Sequence, residues 1–290
     1  MSAARRTRES VPLTTRRGGA IFVAAFIVYC SSSFAIAAGD PPARFNATYG
    51  VALWGVPLGE FHLDATTNAE RYDLSVHAKF SVLAGWLYEA SGKSSSVGRR
   101  LDGEVLPDRF SLSYKAGSKF GKRVVAFQNG SVSRIKLRPS KGQTAHRLPV
   151  TEEHLRKVFD PLTATFMTLT FDGKDTEICD RVLPVFDGKL RFDVRLTQKT
   201  AQNVERRIFE GLAGPFIVCG ARFVPVAGHR PDNARLVALA KEEGISVWLV
   251  KLPQAAIYLP YRIEFPTPLG LGSAEIKSFS VNRSGSGPLR

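Results

Sequence analysis

The chain has 290 residues, of which 44% are apolar, enough for one large β domain or two small ones. Its formal charge of +14 favours anionic partners. Three Cys and five His without CxxC or paired-His spacing exclude the usual zinc patterns, so no metal or cofactor is expected.

The first forty residues address the chain. Arg5, Arg6, Arg8, Arg16 and Arg17 precede an apolar run from Ala20 to Cys30, followed by three serines and the small-residue site Ala35-Ile36-Ala37. That order is the signature of a secretory signal peptide. The apolar core is shorter than the roughly 20 residues a spanning helix needs. Residues 1–37 are therefore expected to be a cleaved signal and residues 38–290 a single exported domain in the periplasm. Five Arg and Glu9 give the signal +4, which leaves +10 on the remainder. In that compartment the anionic partners are lipid head groups and envelope polymers, and nucleic acid is not expected.

Period-two alternation then dominates. Phe45, Ala47, Tyr49, Val51 and Leu53 alternate with more polar or smaller residues, as do Phe61, Leu63 and Ala65, and then Tyr72, Leu74, Val76, Ala78 and Phe80. The pattern predicts antiparallel strands with one wet face, in a meander. Gly55 to Gly59 is read as the first turn. Leu83 to Tyr88, with Gly85 and Trp86, interrupts the alternation as a bend or short helix. Strands are predicted near Ser91–Arg100, Phe110–Lys115, Arg123–Asn129 and Ser131–Arg138, with Asn129-Gly130 as a two-residue hairpin turn.

A helical interval follows. Thr151 is placed to cap a helix over Glu152–Val158, and Asp160 followed by Pro161 to start another running to Leu169. The alternation resumes at Val182–Phe186 and Lys189–Leu196, joined through Asp187-Gly188, which is read as a type I′ turn. Further strands are predicted at Val204–Glu210, Phe216–Val226, Ile245–Lys251, Tyr261–Phe265 and Ala274–Val281, with a short amphipathic helix over Pro231–Glu243. The fold expected is mainly β: one large curved antiparallel sheet, like a half-barrel, with two or three short helices inside or across it.

Cys179 and Cys219 are an even pair in the exported part, so an oxidising compartment predicts a disulfide between them. Chemical motifs are poor. His62 and His77 fall on wet strand faces, Gly92-Lys93-Ser94 lacks the phosphate-loop spacing, and no GxSxG elbow occurs. No catalytic residue is assigned. The large apolar side chains beside Gly85 single out Trp54, Trp86 and Leu87 as candidate ligand or partner contacts.

Four stretches together resemble a known family: Tyr49 to Gly59 (YGVALWGVPLG), Asp160 to Leu169 (DPLTATFMTL), Leu183 to Val194 (LPVFDGKLRFDV) and Cys219 to Gly228 (CGARFVPVAG). Their order is similar to that of the bacterial envelope domain of unknown function family 3108. The resemblance implies export and an all-β architecture, and it carries over no reaction and no catalytic residues. The function expected is that of a non-catalytic envelope protein that binds an apolar ligand, such as a lipid, or acts as an envelope scaffold. The alternative is a hydrolase of envelope polymer with dispersed acidic residues.

Overall fold

The computed structural model describes residues 42–82, 88–101, 103–139, 146–170, 177–199, 206–209, 212–233, 236, 239–240, 244–267 and 269–283. Residues 1–41 lie outside them, as do Leu83 to Leu87 and much of the interval 231–243.

The alternating segments become strands because each buries one face. The first seven are β1 (Ala43–Leu53), β2 (Val56–Thr67), β3 (Arg71–Val82), β4 (Tyr88–Leu101), β5 (Glu104–Ala116), β6 (Lys119–Gln128) and β7 (Ser131–Arg138). They are followed by one short helix, α1 (Pro161–Phe166). The rest are β8 (Arg181–Phe186), β9 (Arg191–Gln198), β10 (Arg206–Phe209), β11 (Leu212–Gly214), β12 (Ile217–Ala227), β13 (Ile245–Leu252), β14 (Ile257–Thr267) and β15 (Gly270–Arg283). Thirteen of the strands form one antiparallel sheet in the order β7-β6-β5-β4-β3-β2-β1-β15-β14-β13-β12-β9-β8. Two meanders, of seven and six strands, therefore meet where the first strand pairs with the last from Ala43↔Arg283 to Leu53↔Gly272.

The chain between β7 and β8 has to travel from one end of the sheet to the other, and on the way it ties those ends together. The Val158 amide donates to the Gly130 carbonyl in the β6–β7 turn at 3.0 Å. Phe159 then exchanges bonds with β8, its amide donating to Pro184 and its carbonyl accepting from Phe186, both at 2.8 Å. An ion pair from Arg123 on β6 to Asp187 after β8 crosses the same gap. The strands do not close into a barrel by themselves; connecting chain and the Arg123–Asp187 ion pair span the opening.

Inside, α1 packs between the two meanders, against β4 of the first and β8 and β14 of the second. Leu162, Phe166 and Met167 join Phe45, Tyr49, Leu63, Leu74 and Phe110 in the larger core. The Phe61 ring stacks on Tyr49 with centroids 4.5 Å apart, and the Tyr49 hydroxyl donates to the Pro260 carbonyl at 2.6 Å. The far end of the β13–β14 hairpin is buried on both sides. Val250, Leu252, Ile257 and Leu259 belong to the larger core, whereas Leu249 and Tyr258 belong to a second cluster around the two cysteines. The Arg100 guanidinium on β4 holds the hairpin tip by donating to the Ala255 carbonyl at 3.0 Å.

Several expected details are corrected. The first turn is Trp54-Gly55, both at positive φ (53° and 78°), and Val56 already pairs with Leu53. The helix expected over 152–158 shrinks to a 3-10 turn, Glu153–Leu155. Lys157 turns left-handed (φ 49°), and Val158-Phe159 go to the sheet instead. The next helix starts at Asp160 as expected but stops at Phe166; the Thr168 amide donates to the Thr163 carbonyl, and the Thr168 hydroxyl takes the Ala164 carbonyl that its amide would use in a continuing helix. Asp187-Gly188 is not a two-residue turn. Phe186 pairs with Arg191, so four residues connect the strands, and the Asp187 carboxylate folds the loop by accepting from the amides of Lys189 and Leu190 at 2.8 and 2.7 Å. The strand expected at 204–210 lies outside the large sheet, since Arg206–Phe209 pairs with β11 in a separate ribbon. Asn129-Gly130 is the two-residue turn expected, with φ of 50° and 73°.

Candidate functional site

The predicted disulfide is present. Cys179 and Cys219 are bonded, with Cα atoms 5.2 Å apart and both side chains fully buried. The bond ties the chain entering β8 to the start of β12, beside Ile178, Leu183, Leu196 and Tyr258.

An apolar cavity of about 250 Å³ lies against this cluster. Register explains its lining. Val194 lies opposite Phe223, and Leu196 opposite Ala221, between β9 and β12. Ala221 lies opposite Ile245 on β13, and Val247 opposite Ile263 on β14. Paired residues share a face, so four adjacent strands present a continuous aliphatic surface. Cys219 also lines the cavity, with Ala164 and Leu169 closing one side and Leu239 at another. Thr165 and Arg222 supply its polar atoms. The volume falls below the 300–1,000 Å³ typical of sites for drug-sized ligands. It suits one acyl chain or one apolar side chain.

A second cavity, of about 350 Å³, sits where the connecting chain bridges the sheet ends, among Glu104, Asn129, Lys157, Phe159 and Arg181. Close by is the most buried polar cluster. Asp160 caps α1, one carboxylate oxygen accepting from the amides of Leu162 and Thr163 at 3.0 Å. The other oxygen accepts from the hydroxyls of Ser96 at 2.7 Å and Thr163 at 2.5 Å, and Tyr72 reaches Thr163 at 2.9 Å. Burial pushes the Asp160 carboxyl above the usual carboxylate range, against the opposing pull of those donors. Burial likewise raises the Tyr72 phenol. The cluster anchors α1 to β3 and β4. Asp160 was legible as a cap from Asp-Pro at a helix start, but its partners were not. Ser96 reads as one more residue of a serine-rich strand and Tyr72 as ordinary core.

On the outer face, His62, His77, Lys79, Lys93 and Lys115 line a shallow groove of about 380 Å³. The His62 ring bonds Thr48 through Nδ1 at 3.0 Å and faces Glu60 through Nε2 at 3.3 Å. Both histidines are exposed sheet residues, as their place in the alternation implies.

Of the three contact candidates, Trp54 is 72% exposed at the β1–β2 turn, outside the linings of all three concavities. Trp86 and Leu87 lie outside the described residues. Most of the residues that build the apolar cavity come from the second meander, where the sequence singles out the disulfide cysteines but no ligand contact. Their signal is the facing pair of alternating segments 190–196 and 217–227, which becomes readable only once β9 and β12 are known to be neighbours.

The family model described as "Protein of unknown function (DUF3108)" matches residues 44–277. A solved structure, a beta-barrel-like protein of the domain of unknown function DUF1849 from Brucella abortus, is similar with a TM-score of 0.43 and 11% identity. The match covers 83% of this chain and 98% of that one. No curated protein matches the chain.

Proposed function

The chain belongs to the DUF3108 family, and on that premise we propose that it is a non-catalytic protein of the periplasmic cell envelope that holds an apolar ligand, a single acyl chain, in the cavity bounded by β9, β12, β13 and β14. The observation that carries this reading is the cavity itself: about 250 Å³ with an aliphatic lining and a disulfide in its wall. Apolar burial at about 25 cal/mol per Å² makes such a surface worth filling. Export through a cleaved signal, with the cut after Ala37, belongs to the same proposal. It is supported by the Arg-rich start, the short apolar core and the buried disulfide.

The alternative of a hydrolase needs two carboxylates facing each other across a polar cleft. Among the described residues, the acids that are not fully exposed have other occupations. Asp108 pairs with Arg99, Asp187 with Arg123, Asp193 with Arg191, and both Glu264 and Glu275 with Arg262. Asp160 caps a helix.

The test is native mass spectrometry of protein purified from the periplasm, beside an Ala221→Phe variant whose added ring occupies the cavity. The expected result is a lipid-sized adduct on the natural protein that is lost from the variant while its melting temperature stays close to the natural value. An adduct-free natural protein, or an adduct retained by the variant, would sink the ligand proposal. N-terminal sequencing of the same sample tests the cut.

A further inference from the structure

Four exposed apolar side chains gather at one end of the sheet, while Leu101 and Val182 stand apart from them. Trp54 is 72% exposed, Val56 62%, Leu269 75% and Leu271 43%. They come from two neighbouring hairpins, β1–β2 and β14–β15, and the tips are fastened together. The Trp54 amide donates to the Leu271 carbonyl at 2.9 Å, and the indole Nε1 donates to the Leu269 carbonyl. Gly270 lies so close under the indole that a Cβ there would overlap it. The exposure is therefore held in place by structure. The single polar group of the Trp54 side chain is used inward, so the ring offers only apolar surface outward.

The same end of the sheet is positively charged. Lys79, Lys93 and Lys115 project from the outer faces of β3, β4 and β5, all exposed. Lys79 and Lys115 lie in one cross-strand row through Ser91. Glu60 lies opposite Lys79, and Glu275 ends the row beyond Gly50. Exposed Glu89 precedes Ser91 on β4, so the three lysines, with Lys119, outnumber the exposed acids Glu60 and Glu89 around them. The β5–β6 turn, at the same end by antiparallel order, adds exposed Phe120 beside exposed Lys119.

We propose that this end of the sheet docks on an anionic lipid bilayer, with Trp54 and Leu269 in the interfacial layer and the lysines over the head groups. Charge alone would suit any polyanion. A soluble polymer gives an outward-facing Trp and three aliphatic side chains nothing to bury against, whereas a bilayer surface supplies both an apolar layer and negative charge within a few ångströms. A Trp ring whose N–H is already satisfied suits the interface, where aromatic side chains concentrate. The inference rests on the envelope placement proposed above and is independent of the acyl-chain cavity.

The test is co-sedimentation of the mature protein with two kinds of vesicle, phosphatidylcholine alone and phosphatidylcholine mixed equally with phosphatidylglycerol. Binding is expected to the anionic vesicles, weakening as salt is raised. Trp54→Asn combined with Leu269→Ser should reduce it about tenfold or more. Asn is chosen because it tolerates the left-handed backbone of position 54. Replacing Lys79, Lys93 and Lys115 by Gln should cost about 100-fold, near fivefold for each charge. Melting curves establish that the variants are folded. The Ala221→Phe variant should bind vesicles like the natural protein, which separates this surface from the ligand cavity. Failure of the natural protein to sediment with anionic vesicles would overturn the inference, as would unchanged binding by folded tip and lysine variants. Self-association of the natural protein that the Trp54→Asn change abolishes, without vesicle binding, would overturn it in favour of a contact between copies.

Discussion

Asp160 shows how one side chain fixes the relation between a helix and a sheet. Its carboxyl is fully buried and accepts from two amides and two hydroxyls, and α1 has only six residues. So short a helix is not stable alone, and the cap together with Ser96 and Tyr72 keeps it on the sheet. Asp160→Ala removes the cap and leaves buried hydroxyls and amides without an acceptor. The loss should be about 2–4 kcal/mol by denaturant unfolding. Burial raises the Asp160 pKa, so the protonated form is favoured in the folded state. The stability this residue contributes is thus fully present below the unfolded carboxyl pKa of about 3.9 and is lost as pH rises through the folded value. Asp160→Asn cannot titrate. The unfolding free energy of the natural protein relative to this variant should fall as pH rises above about 4. A constant difference from pH 4 to pH 8 would refute the sign.

At the scale of elements, the question is what joins the ends of the sheet. The Val158-Phe159 segment and the Arg123–Asp187 pair do so, and both partners of the pair are mostly buried, at 17% and 22% side-chain exposure. Asp187 has a second task, since its other oxygen holds the Lys189 and Leu190 amides. The two tasks can be separated. Asp187→Asn keeps an oxygen for the loop but discards the charge opposite Arg123, and should cost about 1–3 kcal/mol. Asp187→Ala loses both and should cost more. Hydrogen exchange of the Phe159 and Phe186 amides should quicken in either variant while amides of the central strands stay protected. Uniform acceleration would mean that the bridge is not a local closure. This element also marks the limit of what the sequence reveals. Alternation shows which side chains of a strand share a face, so Phe45, Tyr49 and Leu74 are recognisable as core in advance. It carries no information about neighbours. The pairing of β1 with β15 joins residues more than 200 positions apart, and the assignment of Val158-Phe159 to the sheet depends on β8 lying alongside. The expected helix over 152–158 fails for the same reason: sheet bonds outcompete a weak local preference.

For the whole molecule, the disulfide acts where local patterning cannot. Among the described residues the two meanders pair strand to strand along β1 and β15 alone, and the second is interrupted by the β10–β11 ribbon and by the long interval between β12 and β13. The bond between Cys179 and Cys219, 40 residues apart, closes a loop that contains β8 and β9 and fastens the entrance of β8 to β12. Restricting the unfolded chain by a loop of that length contributes about 4 kcal/mol in the chain-entropy account. Cys219 also lines the apolar cavity, so the bond stabilises the part of the sheet that surrounds it. Replacing both by Ala should lower the unfolding free energy by about 2–4 kcal/mol, somewhat less than the entropic value where the unfolded chain keeps residual structure. Reductant should destabilise the natural protein by a similar amount and leave the double variant unchanged. Because the bond spans the second meander, hydrogen exchange in β8 and β9 should quicken more than in β2 to β5. Equal stability of the oxidised natural protein and the double variant would show that packing of the apolar cluster, rather than the covalent link, holds this half of the sheet.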